Sequence, residues 1–258
     1  GEFWGNDFVR AHVDGAASIA AISGADTHFL PDAFSDLLKR DDLPTFDIIV
    51  AHGIWTWVAD EDRAAIVELL QRKLAAGGAL YVSYNNTAGW SSVVFLRQMM
   101  NLFIAETGGR AEIGDAVAFA RSLQGANAAY FKENPTAAAE LSMMATRDPL
   151  YLRHEYFVRD WKLVSVGEIS QALEPAGLQF GAQFPLIMHD DDLVLGLRGM
   201  EILASTESPI LRETVREAFQ GIGFGQDIFV KQSATLSTEG RRDHFRRQSF
   251  LMTARPRN

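Results

Sequence analysis

Along the first ninety residues, short apolar runs alternate with stretches whose apolar positions recur at helical spacing. "EFWGNDF" reads as a short strand ending at Asp7. "RAHVDGAASIAAISGA" reads as a helix with Val13, Ala16, Ala17, Ile19 and Ala20 clustered on one face. "DTHFL" is a second short strand, and "DAFSDLLKR" a helix with Asp32 in the capping position. After a turn at Asp41-Asp42-Leu43-Pro44, the run in "FDIIVA" predicts a strand covered on both faces of a parallel sheet. "DEDRAAIVELLQRKLA" is amphipathic, with acids in its first turn, Arg72 and Lys73 in its last, and Gly77-Gly78 as its stop. "ALYVSY" is the next buried strand. Strands alternating with helices of this length predict βαβ units and a mostly parallel, doubly wound α/β sheet.

The pattern changes near residue 90. "SSVVFLRQMMNLFIAETG", "IGDAVAFARSLQGANAAYFKEN" and "PTAAAELSMMATRD" are helical, with no strand between them. This Ala- and Met-rich block reads as a helical insertion or cap. "SVGEISQALEPAG" is another amphipathic helix, followed by the strand-like "LQFGAQF". "SPILRETVREAFQGIG" is a helix that Ser208 can cap, with Pro209 in its first turn. "DIFVKQ" and "SFLMTA" are the closing strands. The expected division is a core over 1–90, a helical cap or regulatory insertion over 91–160, and a part returning to the core sheet over 161–258.

Composition narrows the chemistry. The 258 residues are 47% hydrophobic and 22% charged, as in an ordinary globular protein. With no cysteine, disulfides, thiolate metal sites and cysteine nucleophiles are excluded together. A net charge of −9 argues against general nucleic-acid binding. The Arg-rich tail, from Arg241 to Arg257, reads as a solvated basic face or as a patch for an anionic partner. No run of 18 apolar residues predicts a membrane span, and no signal peptide is visible, which fits a cytoplasmic protein. His12, His28, His52, His154, His189 and His244 are scattered and form no metal-ligand spacing. "HDDD" at 189–192 reads as a solvated acidic loop.

In an open parallel sheet, ligands bind outside the carboxyl ends of the strands. Those ends carry Asn6-Asp7-Phe8, Asp32-Ala33-Phe34, Ala51-His52-Gly53 and Ser83-Tyr84-Asn85-Asn86. Asp7 is either a turn aspartate or a carboxylate for ribose hydroxyls. Asp32 is either a helix cap or a partner for an adenine amino group, with Phe34 nearby. His52 followed by Gly53 permits close approach of backbone to ligand. Trp55 and Trp57 read as packing under the cleft.

"FDIIVAHGIWTWV", "GGALYVSYNNTAGW" and "LRHEYFVRDW" together resemble the class I S-adenosylmethionine-dependent methyltransferases that carry a methyltransferase regulatory domain, some of which methylate protein lysines in bacteria. The resemblance spans roughly residues 1 to 190. It implies a Rossmann-like sheet and S-adenosylmethionine as cofactor, with S-adenosylhomocysteine as product. Asp7 and Phe8 take the ribose position, Asp32, Ala33 and Phe34 the adenine position, and Ala51, His52 and Gly53 the position facing the methionine part. Tyr84, Asn85, Trp90, His154 and Glu155 fall on the acceptor side. Ala88 stands where the family has proline. Such enzymes begin with a strand and a glycine-rich loop. Only five residues precede Asn6, so the expectation is a further N-terminal segment before Gly1.

Methyl transfer from a sulfonium needs alignment, exclusion of water and a place for the acceptor's proton, and it needs no metal. His52, Tyr84 and Tyr156 are the candidates for the proton-handling role. The implied acceptor is a protein lysine or a small metabolite. Two other readings remain: a dinucleotide-dependent oxidoreductase, and a non-catalytic cofactor-sensing or partner-binding protein on the same fold.

Overall fold

The computed structural model describes residues 1–232 and 237–247. The strands are β1 (Phe3–Asn6), β2 (Thr27–Leu30), β3 (Phe46–Ala51), β4 (Leu74–Asn85), β5 (Leu178–Gln183) and β6 (Phe224–Lys231). The helices before the return to the sheet are α1 (Arg10–Ser23), α2 (Phe34–Leu37), α3 (Asp60–Lys73), α4 (Thr87–Trp90), α5 (Val94–Glu106), α6 (Ile113–Gly125), α7 (Ala129–Glu133), α8 (Pro135–Met144) and α9 (Pro149–Tyr156). They are followed by α10 (Val166–Leu173), α11 (Asp191–Val194), α12 (Gly196–Ala204), α13 (Pro209–Gln220) and α14 (Thr238–Arg246). The expected strand "SFLMTA" lies outside the described residues.

The strands form two sheets. β1 and β2 pair in parallel, and the second sheet has the order β3-β4-β6-β5. β3 and β4 are parallel, while β6 runs antiparallel to both β4 and β5. Two contacts set the sheets relative to each other. Trp4, at the start of β1, meets Phe46, at the start of β3, edge to face with ring centroids 6.4 Å apart. At the opposite end Phe34, just past β2, packs against the core cluster that holds Ala51 and Trp55. The carboxyl ends of β1 to β4 therefore share one edge.

Two hydrophobic cores form. One joins β3, β4, β6, α3 and α10 through Leu70, Leu80, Val82, Ile169, Leu173 and Phe229. The other belongs to the helical block, with Leu96, Met100, Ala116, Ala120, Leu141 and Tyr156 at its centre. α9 belongs to this second core, and the sequence pattern did not separate it from its neighbours.

Several local expectations need correction. Asp32 does not cap α2: Ala33 takes the capping position without a side-chain bond, because Asp32 is held by Arg40 at 2.8 Å. Gly77 and Gly78 do not stop α3. They sit inside β4, in the stretch where its pairing with β3 shifts register. Gly77 has φ +76°, and a Cβ at Gly78 would lie 2.9 Å from the Asp47 carbonyl oxygen. The end of α3 is held instead by the Lys231 ammonium, which donates to the carbonyls of Leu70, Gln71 and Leu74. β3 is not covered on both faces: Ile49 and Ala51 face the core while Ile48 and Val50 are 66% and 60% exposed. "HDDD" is only partly a solvated loop: Asp190 and Asp192 are exposed, but Asp190 caps α11, Asp191 accepts two hydrogen bonds from Arg216 at 2.7 and 3.0 Å, and His189 meets Glu213 at 3.1 Å.

Candidate functional site

The shared carboxyl edge begins at Asp7. Its Oδ1 accepts the Val9 amide at 2.8 Å and its Oδ2 meets His12 Nδ1 at 2.9 Å. The backbone bond from Val9 holds this carboxyl below the usual aspartate range, although burial opposes it. With the side chain 40% exposed, Asp7 is an ionised acceptor that a hydroxyl can reach. Phe8 beside it is exposed. One step along the edge come Asp32, half-buried with Oδ2 on Arg40, Ala33, which is exposed, and Phe34, whose ring leans on the core.

At the end of β3, Ala51 is buried and Gly53 turns the chain at φ +63°. The Gly53 amide donates to Ser83 Oγ at 2.8 Å, and Ser83 Oγ lies 3.1 Å from His52 Nδ1. The Tyr81 hydroxyl also lies 3.3 Å from His52 Nδ1 and donates its own hydrogen to Gln226 Oε1 at 2.8 Å. His52 is exposed and flanked by Tyr81 and Phe224, with centroids 5.9 and 5.8 Å away. Trp55 packs in the core, as expected, and Trp57 stacks on His154 with centroids 6.0 Å apart.

The end of β4 is sealed. Tyr84 is fully buried and its hydroxyl donates to Asp227 Oδ2 at 2.5 Å. Asn85 takes a bond from its amide to Thr56 Oγ1 at 2.8 Å, and its side chain donates to Glu155 at 3.0 Å. Asn86 donates from its side chain to Glu217 and caps α4 by accepting from the Ala88 amide. Each acid partner is pushed upward by burial. Glu155 and Glu217 lie above the ordinary glutamate range, and Asp227 is pushed up to about 7 despite the bond from Tyr84. Tyr156 is buried, its hydroxyl bound to Glu140, and burial raises its pKa.

Two of the three proton-handling candidates already have carboxyl partners: the buried Tyr84 is bound to Asp227 and the buried Tyr156 to Glu140. Trp90 packs between Tyr156 and Trp161, so it welds the helical block to the sheet rather than lining an open pocket. Gly89 makes that weld possible, since a Cβ there would lie 2.5 Å from Gly223 Cα. Sequence reasoning brought Asn85, His154 and Glu155 together correctly as neighbours. It missed Asp227 and Glu217. The signal was present: Asp227 falls on the inward-facing set of "GQDIFVK", and Glu217 lies on the inner side of α13 with Arg216.

A groove of about 690 Å³ runs between α3 and α10, over Trp55, Val67 and Ala172, with Asp60, Arg63 and Lys162 at its rim. None of Asp7, Asp32, His52 or Asn85 lines it. Among the described residues no group of three acidic or histidine side chains is arranged to hold a metal ion. No described helix is long and apolar enough to cross a membrane.

Two sheets whose parallel strands share one carboxyl edge, a helical block on β4's end and a returning antiparallel strand match the Rossmann-like fold of methyltransferases. Within it, residues 148–231 match the family described as "Predicted methyltransferase regulatory domain". The matched segment starts at α9, inside the helical block, and ends with β6. An uncharacterized protein of Synechocystis sp. (strain ATCC 27184 / PCC 6803 / Kazusa) is 33% identical over 241 residues, 91% of this chain and 47% of its own length. An uncharacterized protein of Rickettsia prowazekii (strain Madrid E) is 28% identical over 160 residues, 60% of this chain and 28% of its own length. Among solved structures, PKMT2 from Rickettsia typhi in complex with AdoHcy aligns with TM-score 0.73 and 18% identity, over 93% of this chain and 46% of that one. The chain spans less than half the length of each of these three proteins.

Proposed function

We propose that the chain is part of an S-adenosylmethionine-dependent methyltransferase acting on a nucleophilic acceptor, a protein lysine or a small metabolite, in the cytoplasm. The observation that carries the reading is the likeness of nearly the whole chain to a structure solved with AdoHcy, combined with an ionised, reachable carboxylate at the strand end where a ribose would be held. Asp7 would accept the ribose hydroxyls, Asp32 and Phe34 would meet the adenine, and His52 and Gly53 would face the methionine part. The bound cofactor supplies a methyl group activated by its sulfonium, and no residue needs to activate it further. The chain's own tasks are alignment, exclusion of water and disposal of the acceptor's proton.

On the acceptor side Glu155 is the best-suited group. It is half-buried, its pKa is raised by burial, and it lies beside Asn85 and near Glu140. A carboxyl group in such a site attracts an ammonium and takes up a proton more readily than an exposed one. That arrangement, with Trp57 and His154 stacked beside it, supports a lysine acceptor over a neutral metabolite. One observation favours the second reading, a non-catalytic cofactor-sensing protein: both tyrosine hydroxyls near the acceptor side are already committed.

Calorimetry with S-adenosylhomocysteine on the full-length protein tests the reading. Binding is expected, and Asp7→Ala is expected to weaken it by about 1.5–3 kcal/mol, the range for hydrogen bonds to a charged group. A full-length protein that binds neither S-adenosylhomocysteine nor S-adenosylmethionine refutes the reading. Unchanged affinity in Asp7→Ala removes the ribose role alone.

A further inference from the structure

Three consecutive residues at the end of β4 are each held by a different carboxyl group, and the three come from three separate elements. Tyr84 is bound by Asp227 of β6, Asn85 by Glu155 of α9, and Asn86 by Glu217 of α13. All three acids fall within residues 148–231, the segment matching the regulatory-domain family. Side chains of successive strand residues point to opposite faces, so one neighbouring element cannot hold all three. The clasp needs the segment to wrap the strand end, and it does. β6 pairs along β4 on one side, α13 stands behind Asn86, and α9 reaches Asn85 from the helical block.

The backbone of the same stretch is also satisfied. The Asn86 amide donates to Gly223 O at 2.8 Å, the Thr87 amide to Val164 O at 3.1 Å, and the Val164 amide to Asn85 O at 3.3 Å. The Glu217 carboxylate ties a third element in by accepting the Val166 amide at 2.8 Å, at the start of α10. The cofactor side differs. Asp7 is set by Val9 and His12 and Asp32 by Arg40, none of them within 148–231.

We propose that Asp227, Glu155 and Glu217 are positioning residues for methyl acceptance: through them the 148–231 segment sets the geometry of Tyr84, Asn85 and Asn86, and so controls the acceptor side of the site while leaving the cofactor side alone. The proposal rests on the methyltransferase reading above. Glu155 has the most direct part. By taking the Asn85 Nδ2–H it fixes the orientation of that buried amide. Asp227 and Glu217 act at one remove, holding the residues on either side of Asn85.

The test uses the full-length protein and three pairs of variants: Asp227→Ala with Asp227→Asn, Glu217→Ala with Glu217→Gln, and Glu155→Ala with Glu155→Gln. The amides of the second member of each pair still accept from the same partners. Three quantities are read: S-adenosylhomocysteine affinity by calorimetry, amide hydrogen exchange over residues 84–90, and labelled methyl transfer from S-adenosylmethionine into cell extract as extract concentration is varied. The alanine variants are expected to exchange at least tenfold faster over 84–90 and to lose at least tenfold in transfer, with S-adenosylhomocysteine affinity within twofold of the parent. The amide variants at 217 and 227 are expected to recover most of the transfer. Glu155→Gln is expected to raise the extract concentration needed for half-maximal transfer more than it lowers the plateau. Should the alanine variants fail to fold, Tyr84→Phe, which removes one donor and keeps the ring, is read in the same way. Transfer and cofactor affinity falling in step would overturn the proposal, because that marks general damage, and so would unchanged transfer in every variant. A parent protein that binds no S-adenosylhomocysteine removes the methyl-transfer reading, and the positioning role with it. A parent that binds while the variants behave like it overturns the positioning role alone.

Discussion

The two halves of the sheet edge are built on opposite plans. The β1–β2 half is thinly buried: before Phe46 only Val13, Ala20, Leu37 and Leu43 are well buried among apolar residues. Its polar groups pair near the surface, as Asp7 does with His12 and Asp32 with Arg40. The β4–β6 half holds fully buried Leu80, Val82, Tyr84 and Phe229, and its polar groups are sealed and carboxylate-bound. Surface pairs contribute little to stability, whereas a buried polar group left without its partner costs much more. One half keeps its polar groups within reach of solvent, while the other holds them buried and fixed.

The largest expected effect is in the core under β6. Phe229→Ala should lose about 3–5 kcal/mol in urea unfolding, against about 1–2 kcal/mol for Val13→Ala in α1. Equal losses would erase the distinction between the halves. Next comes the pH dependence carried by Asp227, faced by Tyr84 from β4, by Glu213 and Glu217 from α13, and by His189. Burial holds its carboxyl up to about 7, while an unfolded aspartate titrates near 3.8. Between those values the folded protein keeps a proton that the unfolded chain releases, so stability falls as pH rises through that window and levels off above it. The loss should reach about 4 kcal/mol over roughly three pH units, and Asp227→Asn should remove this contribution. A parent that loses no stability relative to Asp227→Asn over that window contradicts the buried, protonated aspartate.

A smaller effect sharpens the contrast at two glycines. Gly89→Ala drives a Cβ into the Gly223 backbone and should cost about 1–3 kcal/mol. Gly15→Ala, in α1 with nothing within 4 Å, should stabilise by about 0.5–1 kcal/mol through helix propensity. Thermal denaturation of the pair checks the opposite signs. The smallest change is expected at Arg40→Ala, which breaks surface pairs with Asp32 and Asp42 and should leave the thermal midpoint almost unchanged. A larger loss there would mean that the β1–β2 half is more tightly built than its burial indicates.

Much of this fold was legible because periodicity survives without tertiary context. The βαβ series, the helical block and the strand ends at Asp7, His52 and Asn85 follow from runs of apolar residues and their breaks. Less legible were α9 and the pair α11–α12, which are short and carry polar residues on several sides. The Gly77-Gly78 pair misled because glycine ends helices and permits irregular strand pairing by the same conformational freedom.

By itself, then, the sequence determined the alternation of strands and helices, the separate helical block and the polar strand ends, because local hydrophobic spacing survives without tertiary context. It also carried the blocks that mark the methyltransferase resemblance. Only the tertiary structure decided which partner each polar group takes. Glu155, Glu217 and Asp227 stand 70, 131 and 143 residues from the side chains they hold. Nothing in local spacing links residues so far apart. Their pairing is imposed by the return of β6 alongside β4 and by the packing of α9 and α13 against the strand end, which leaves each buried donor one carboxylate within reach.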